Sequence, residues 1–423
     1  MKIIYIFVFF LSINTYALTY IHSSNYFDVE LGEYQSNKTI IIENNKIIDI
    51  KDGYIYPSNK DKLINLKDKY LFPGFMDMHV HFGQEYQSKA ERPIKTERET
   101  QAILAADHAI KTLKVGFTTV RQVGDSGLVA ISLRDLINSN KVVGPTIYTS
   151  GKSIATTGGH ADPTNGKSID DYDHPKPEDG VINGPYDAFK AVRQRYKDGA
   201  DGIKLTVTGG VLSVAKSGDN PQFTLDEINA VIEAAKDYGF WVAVHAHGPE
   251  GMKRAVIAGV DSVEHGTFMT EEIMDLMIQN NVYYVPTISA GEFVAQKSLI
   301  DNYFPDIVRP KAASVGPQIG NTFKKAHLRG VPIAFGTDAG VQAHGTNLDE
   351  FLYMVNYGMS PANSIISATK NTAMLLNIYD TVGSIDIGKD ADLVAIDADP
   401  LELIEIIKKI SFVMKEGNLV DLK

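Results

Sequence analysis

The sequence predicts an α/β protein, a (β/α)8 TIM-like barrel with a small β-sandwich domain formed from both chain ends. From residue 71 to about residue 375, strand-like apolar runs alternate with helix-like runs about eight times, which favours a closed parallel barrel over an open sheet. Both flanks of this region contain short apolar runs separated by turn residues. We therefore expect the sandwich at residues 18–70 and 379–423, and the barrel at residues 71–378.

The individual elements follow from the spacing of apolar residues. Isoleucine runs on either side of Asn44 and Asn45 predict a hairpin in the first flank. Thr224 and Glu227 form a capping box that starts a helix in the barrel. The eight barrel strands are predicted at residues 71–81, 118–123, 146–150, 202–207, 241–247, 262–265, 283–287 and 333–337.

The segments 152–183 and 290–325 are predicted to be long insertions, of the kind that bind ligands or form lids. In the tail, residues 393–396 are predicted to form a strand of the sandwich.

The amino-acid composition excludes several kinds of functional site and partner. The 423 residues include no cysteine, which excludes disulfides, thiolate zinc sites, iron–sulfur clusters and a cysteine nucleophile. Lysine and arginine number 41 against 52 aspartates and glutamates, a net charge of −11. This acidic balance argues against a nucleic-acid partner, because binding to phosphates needs clustered cations. Hydrophobic residues make up 44% of the chain, which is enough for a sizeable core.

The first 17 residues are typical of a signal peptide. Lys2 precedes an apolar run of 11 residues, and Thr15 and Ala17 place small residues at a cleavage site. The run is shorter than the ~20 residues that a membrane span needs, although an uncleaved anchor is the alternative. We therefore expect a periplasmic or secreted protein that has no membrane attachment after cleavage.

Two His-x-His pairs stand out, His79–His81 and His245–His247. With 11 histidines in 423 residues, chance would give only ~0.3 such pairs. Residues i and i+2 of a strand point to the same face, and both pairs end predicted strands, where barrel enzymes keep their active sites. Two imidazoles at this spacing can bind one divalent ion. The alternative of ordinary buried histidines fits one such pair better than two.

Three further residues share this location. His265 and Asp338 end the sixth and eighth predicted strands, and Lys204 lies inside the fourth between apolar neighbours. A lysine in a barrel interior is costly unless it is paired or neutralised. Two nearby cations would favour the neutral amine, which can react with CO2 to give a carbamate that bridges two metals. The alternative is that Lys204 extends out of the strand end toward water.

With these residues in place, the chain resembles the amidohydrolase superfamily. The likeness is to the binuclear branch with Xaa-Pro dipeptidase-like enzymes and amino-acid-releasing carboxypeptidases, related to imidazolonepropionase and ochratoxin amidase. The motifs that carry it occur in order, namely PGFMDMHVH at 73–81, Lys204, VHAHG at 244–248, EHG at 264–266, GTDAG at 336–340 and GKDADL at 388–393.

The resemblance implies a role for each of these residues. His79, His81 and Asp338 would hold the more buried of two divalent metal ions, expected to be Zn²⁺. His245 and His265 would hold the second, and N6-carboxylated Lys204 would bridge them. The family offers one ligand from the fifth strand, so His247 is expected instead to contact the substrate's α-carboxylate, together with His160 from the loop 156–162. For His160, a hydrogen bond that orders the loop is the alternative.

Hydrolysis then follows from the chemistry of two metals. They would lower the pKa of a bridging water enough to give a hydroxide nucleophile, and Asp338 would pass its proton to the leaving amine. We expect cleavage of the amide of a dipeptide or N-acyl amino acid, with release of the C-terminal residue and proline as one candidate. The alternatives are a cyclic-amide or lactone hydrolase on the same site, and a non-catalytic metal- or solute-binding protein.

Three expectations complete the prediction. The small-molecule substrate is the expected partner, and the chain is expected to form a homo-oligomer. Arg121, near the end of the second strand, is predicted either to bind an anionic substrate or to form a structural ion pair. The five histidines without a motif are predicted to be surface or loop residues, namely His22, His108, His174, His327 and His344.

Overall fold

The structure is a computed structural model that describes residues 17–86, 97–168, 170, 173–214 and 217–423. Except for Ala17, the predicted signal peptide lies outside the described residues. Within these ranges, no helix has the length and apolar content that crossing a membrane requires.

The strands of the described chain are β1 (Thr19–Asp28), β2 (Glu33–Glu43), β3 (Lys46–Asp52), β4 (Lys62–Pro73), β5 (Phe75–Val80), β6 (Phe117–Gln122), β7 (Thr146–Thr149), β8 (Ala155–Thr156), β9 (Val181–Ile182), β10 (Gly202–Thr206), β11 (Trp241–Ala246), β12 (Ser262–His265), β13 (Tyr283–Val285), β14 (Leu393–Ile396), β15 (Ile410–Lys415) and β16 (Asn418–Leu419). The helices are α1 (Arg98–Lys114), α2 (Val129–Asn138), α3 (Pro185–Asp198), α4 (Leu225–Asp237), α5 (Pro249–Ala258), α6 (Glu271–Asn280), α7 (Ile288–Ser298), α8 (Arg309–Arg329), α9 (Asp349–Asn356), α10 (Pro361–Ser367) and α11 (Lys370–Leu375).

Strands from both ends of the chain share one seven-stranded sheet. Its order is β16-β15-β14-β4-β1-β2-β3, and the predicted hairpin is present as the antiparallel pair β2–β3. Strand β14 joins the two flanks by pairing antiparallel with β4. Buried isoleucines and leucines from both flanks, including Ile21, Ile40, Leu71 and Leu393, pack in one cluster. A second layer, and with it the β-sandwich and the domain boundaries, stays a prediction.

The prediction of one strand at residues 71–81 is wrong, because this segment contains the end of one strand and the whole of the next. Residues up to Pro73 belong to β4 in the end sheet, and β5 begins at Phe75. Pro73 has no N–H to donate to a ladder. A Cβ on Gly74 would lie 2.1 Å from the Thr118 hydroxyl oxygen, so the junction needs glycine to pack against the next strand.

Two parallel sheets are linked to each other at both edges, which arranges their strands in a ring. Strands β5, β6 and β7 make one sheet, and β10, β11, β12 and β13 make another. A parallel bridge between Ile154 and Leu205 joins the two sheets on one side. On the other side, Ile333 bridges Tyr284, and the Met78 N–H donates to the Phe335 carbonyl at 2.9 Å. Each strand therefore has neighbours on both sides.

The eighth predicted strand, 333–337, is reduced to this bridging segment. With its flanking residues it makes two backbone hydrogen bonds to β13 and two to β5, too few for a regular ladder. The segment is nonetheless buried, with Phe335 fully enclosed. It closes the ring by packing and by isolated bonds.

The predicted insertion 290–325 is mostly helical. Helices α7 and α8 cover most of it and pack against each other. The helical pattern is obscured in the sequence because α8 contains Pro317 in its interior, and proline normally breaks a helix. The other insertion, 152–183, contains the short pair β8–β9.

Three of the five histidines without a motif are buried. This corrects the prediction for His22 on β1 and His108 on α1, whereas His344 is a loop residue, as predicted. His22, His108 and His344 are at most 5% exposed. His174 is exposed, and His327 is half-buried on α8.

A buried carboxylate organises the start of α7. The two oxygens of Glu350, which is fully buried, accept hydrogen bonds from the N–H groups of Ile288 at 2.8 Å and Ser289 at 2.7 Å. These are orphan donors at a helix N-terminus. Burial raises the pKa of Glu350 to about 8.

This raised pKa predicts how stability depends on pH. The folded state holds the Glu350 proton at a higher pH than the unfolded chain does, so the free energy of unfolding should fall as pH rises from about 5 to 8, by up to about 1.4 kcal/mol per pH unit. Glu350→Gln should remove this component of the slope. Chemical denaturation of both proteins across that range measures the difference.

Glu272→Gln is the matched control, because the Glu272 side chain is 64% exposed. It should leave the slope unchanged. Equal slopes in the wild type and in Glu350→Gln would contradict the assignment.

Candidate metal centre and active site

A cavity of about 500 Å³ opens at the carboxyl ends of the ring strands. Its lining includes all eight site residues that the sequence predicts, namely His79, His81, His160, Lys204, His245, His247, His265 and Asp338. Because parallel strands all point the same way around the ring, side chains at their ends converge there.

Three of these residues form a tight ligand group. The Asp338 carboxylate oxygen lies 3.2 Å from Nε2 of His81 and 3.5 Å from Nε2 of His79, and the two Nε2 atoms are 3.3 Å apart. Ligand atoms of all three lie within 4.8 Å of one another. Two imidazoles and a carboxylate are a donor set that suits a divalent ion such as zinc.

Glu264 orients the first of these imidazoles. Its carboxylate lies 2.8 Å from Nδ1 of His79 and accepts a 2.8 Å hydrogen bond from the Arg121 guanidinium. Because a carboxylate oxygen accepts, Nδ1 of His79 carries the proton and Nε2 is left free for a metal. Burial alone would raise the pKa of Glu264, but Arg121 and His79 lower it to about 2.

Arg121 is therefore a structural residue. It is fully buried, and it also donates to the Met78 carbonyl and the Ser262 hydroxyl. Of the two roles open for it, the ion pair is the one that its contacts support.

His245 and His265 lie on the neighbouring strands. Nε2 of His245 lies 3.0 Å from the Gly209 carbonyl oxygen, which assigns the proton to Nε2 and leaves Nδ1 free. Nδ1 of His265 contacts the Thr287 hydroxyl at 2.8 Å. The ring centroid of His265 lies 4.9 Å from that of His79 and 4.7 Å from that of His245. The pair His245 and His265 therefore lies next to the pair His79 and His81.

Lys204 is buried beneath these imidazoles, at 3% exposure. Its Nζ has no hydrogen-bond partner among the described residues, so the amine does not reach water as the alternative role required. Burial lowers the pKa of Lys204 to about 8, although Glu264 and Asp338 oppose the shift. An enclosed amine of lowered pKa without a partner fits a site that modifies it or pairs it with another group.

The electrostatics keep the imidazoles of His79, His245 and His265 neutral. Burial and the Lys204 charge lower the pKa of His79 to about 4, and burial holds the pKa values of His245 and His265 well below their usual range. Burial alone would raise the pKa of Asp338, but His79 and His81 beside it lower it. Neutral imidazoles and an ionised carboxylate are the forms that bind metal.

His160 and His247 lie toward one side of the cavity. The His160 ring stacks on His245 with centroids 4.3 Å apart, and Nδ1 of His247 contacts the Thr267 hydroxyl at 2.8 Å. A Cβ on Gly210 would lie 2.2 Å from the His160 ring, so glycine is required for the ring to sit there. Nδ1 of His160 is buried without a hydrogen-bond partner in the described part of the chain.

Lys311 on α8 gives this side a positive potential. Its ammonium donates to the carbonyls of Gly210 and Ser213 at 3.1 and 2.8 Å. After burial, its charge is one of the causes that lower the pKa of His160 to about 4 and of His247 to about 3. The sequence did not single out Lys311, because it lies in the segment predicted to be an insertion.

Three residues of the site have left-handed backbone conformations. The φ angles are 70° at His265, 53° at Thr287 and 57° at Asp338. Such conformations are strained in residues other than glycine and concentrate at functional sites. No pattern in the sequence points to them.

One part of the cavity wall is apolar. It is formed by the aliphatic side chains of Val211, Val294, Val315 and Ile319, of which the last three come from α7 and α8. The helical insertion thus lines the same cavity as the predicted metal ligands.

Comparison with known proteins agrees with this geometry. A model of the amidohydrolase family matches residues 70–420. A Xaa-Pro dipeptidase structure with methionine bound in its active site is 65% identical, covers 96% of this chain and 100% of its own, and superposes with a TM-score of 0.95. A prolidase complexed with N-methylphosphonate-L-proline is 28% identical over 96% of this chain and 99% of its own, with a TM-score of 0.86.

Ochratoxinase of Aspergillus niger is 28% identical over 362 residues, which are 81% of this chain and 73% of that protein. The resemblance to the Xaa-Pro dipeptidase and ochratoxinase relatives is therefore confirmed. On the family match and the geometry of its site, the chain belongs to the amidohydrolase family, whose members are metal-dependent, and is a hydrolase that acts on amide or peptide bonds.

Proposed function

We propose that the protein is a binuclear metal-dependent dipeptidase that releases the C-terminal amino acid of a dipeptide or N-acyl amino acid. The observation that carries the proposal is the convergence of the predicted ligands and of His160 and His247 on one cavity. The 65% sequence identity between this chain and a Xaa-Pro dipeptidase supports the same substrate class.

The donor set fits two ions. His79, His81 and Asp338 would hold one, His245 and His265 the other, and Lys204, carboxylated on Nζ, would lie between them. The partnerless Nζ of Lys204 is the observation that fits a bridging group. When bound, two divalent ions, which we expect to be Zn²⁺, supply Lewis-acid activation of the amide carbonyl and of the attacking water.

Asp338 is placed to move the proton. Its carboxylate is ionised, faces the cavity and touches both imidazoles of the first pair. It would accept the proton of the attacking water and deliver it to the leaving nitrogen. The backbone at this residue is left-handed, with a φ of 57°, and its side chain lines the cavity.

His160 and His247 would orient the substrate. Both lie on the side of the cavity where Lys311 contributes positive charge, which favours the α-carboxylate of the residue to be released. The adjoining apolar wall, which includes Val315 and Ile319 on the same helix as Lys311, would receive an apolar side chain. Free carboxylate and apolar character are therefore the expected substrate features, and proline is one candidate.

A substrate panel tests the proposed function. The zinc-reconstituted enzyme should release amino acids from dipeptides and N-acyl amino acids with apolar or proline C-terminal residues, and should lose at least ~10-fold in kcat/KM when the carboxylate is amidated. Amino-acid release measured by chromatography gives the rates. Opening of lactams or lactones without any release of amino acids would favour the cyclic-amide alternative and contradict the dipeptidase.

Asp338→Asn tests the proton transfer. The variant should lose at least ~10²-fold in kcat, because an amide cannot accept the proton of the attacking water. Elemental analysis should still find metal in the protein, since the four imidazoles remain. Near-normal turnover with metal retained would remove Asp338 from this role.

We also propose that the chain is exported and that cleavage follows Ala17. Strand β1 begins at Thr19, and Leu18 is tied to the sheet by its carbonyl, which accepts from the Lys62 N–H at 2.8 Å. Cleavage after Ala17 would leave all pairings of β1 intact. Mass spectrometry of protein recovered from the periplasm or medium should find Leu18 as the first residue, whereas cytoplasmic protein that retains Met1 would contradict export.

A further inference from the structure

We infer, on the basis of the proposed function, that Asp125 binds the free α-amino group of the substrate and makes the enzyme favour dipeptides over N-acyl amino acids. Of the described residues that line the cavity, only Asp125 and Asp338 carry a carboxylate. Asp338 belongs to the ligand group with His79 and His81, and Asp125 does not. The second carboxylate of the cavity therefore has no part in the steps proposed above.

The loop that carries Asp125 is held beside His81. It follows β6, which pairs with β5 in the ring. The Gly124 carbonyl accepts hydrogen bonds from Nδ1 of His81 at 3.3 Å and from the side-chain amide of Gln122 at 3.2 Å. The side-chain oxygen of Gln122 in turn accepts from the Phe82 N–H at 2.8 Å. These contacts fix the position of Asp125 relative to a predicted metal ligand before any substrate binds.

The Asp125 carboxylate accepts backbone hydrogen bonds but has no basic partner in the described part of the chain. Its oxygens accept from the Ser126 N–H at 2.7 Å and the Ala130 N–H at 2.6 Å. Burial raises the pKa of Asp125, and these hydrogen bonds and the nearby His81 oppose the shift. Each carboxylate oxygen has a further lone pair. A substrate ammonium could therefore donate to the carboxylate and supply the counter-charge.

The surroundings of the carboxylate suit an ammonium group. Gly83 also lines the cavity, and a Cβ on it would lie 3.7 Å from Oδ1 of Asp125, so no side chain at residue 83 covers this oxygen. Ser153 lines the cavity beside the same loop, because its hydroxyl oxygen would lie 2.6 Å from a Cβ on Gly124. A hydroxyl oxygen accepts hydrogen bonds, and an ammonium group has three N–H donors.

The two ends of a dipeptide match two places in the cavity. Asp125 lies beside His81, whereas His160, which we assign to the α-carboxylate, stacks on His245. The amino and carboxylate groups of a dipeptide lie on opposite sides of its amide bond. Binding of both ends would therefore place the amide between the two pairs of predicted metal ligands. An N-acyl amino acid has no ammonium group that could pair with Asp125, so this charge complementarity selects dipeptides.

Two matched substrates test the role of Asp125. Glycyl-leucine and N-acetylleucine differ only in the amino group, and kcat/KM for each is measured from leucine release by chromatography. The wild type should prefer glycyl-leucine. Asp125→Asn should lower the ratio of the two kcat/KM values by at least ~10-fold, because the hydrogen bond between two charged groups is lost. Asparagine keeps an acceptor for the N–H groups at the start of α2, and a purely structural role would change both values alike.

Asp28→Asn is the matched control, because the Asp28 carboxylate also accepts from two backbone N–H groups but lies in the end sheet. It should keep the wild-type ratio. If Asp125→Asn does not fold, Asp125→Ser decides, since serine also accepts at a helix N-terminus. An unchanged ratio in the folded variant, or a wild-type preference for N-acetylleucine, would overturn the role of Asp125 alone. Release of leucine from neither substrate by the wild type would instead contradict the proposed function.

Discussion

The fully buried carboxylate of Glu264 is the constraint on which the site depends. It binds Arg121 on β6 and faces His79 on β5, while it lies itself on β12. With its pKa at about 2, the group is charged at neutral pH. Loss of Arg121 would leave that charge in the interior without a counter-charge, and loss of His79 would remove a hydrogen bond to it. The same interactions that make this charge tolerable also hold the His79 ring with Nε2 toward Asp338. The contacts that stabilise the ring of strands are therefore the same contacts that orient this predicted metal ligand.

Glu264 also explains the backbone strain beside it. Consecutive residues of a strand point to opposite faces, yet both Glu264 and His265 reach His79, one through its carboxylate and the other through its ring. The φ of 70° at His265 breaks the alternation and makes this possible. Such a conformation costs about 1–3 kcal/mol and persists only where surrounding contacts determine it. Here the Gly266 N–H donates to the Ala246 carbonyl at 3.0 Å, and Thr287 contacts the imidazole.

Features of this protein can be predicted from the sequence when the interacting residues are close together along the chain. His79 and His81 are recognisable because the two-residue period of a strand is local, and strand order around a ring follows chain order. The role of Arg121 remained open, because its partner Glu264 is 143 residues away. The burial of His108 and His344 was missed for the same reason, since their contacts come from the loop after β5. Helix α8 cannot be recognised from the sequence, because Pro317 in its interior is locally a helix breaker. Tertiary packing overrides that local preference.

The residues predicted to carry out hydrolysis and the residues expected to select the substrate come from different parts of the fold. The predicted metal ligands belong to the ring, where backbone pairing and buried hydrogen bonds fix each side chain. Lys311 and three of the four residues of the apolar wall come instead from α7 and α8. Glu350 on α9 holds the first turn of α7. On the proposed function, changes in these helices would alter which residue is released without moving a ligand.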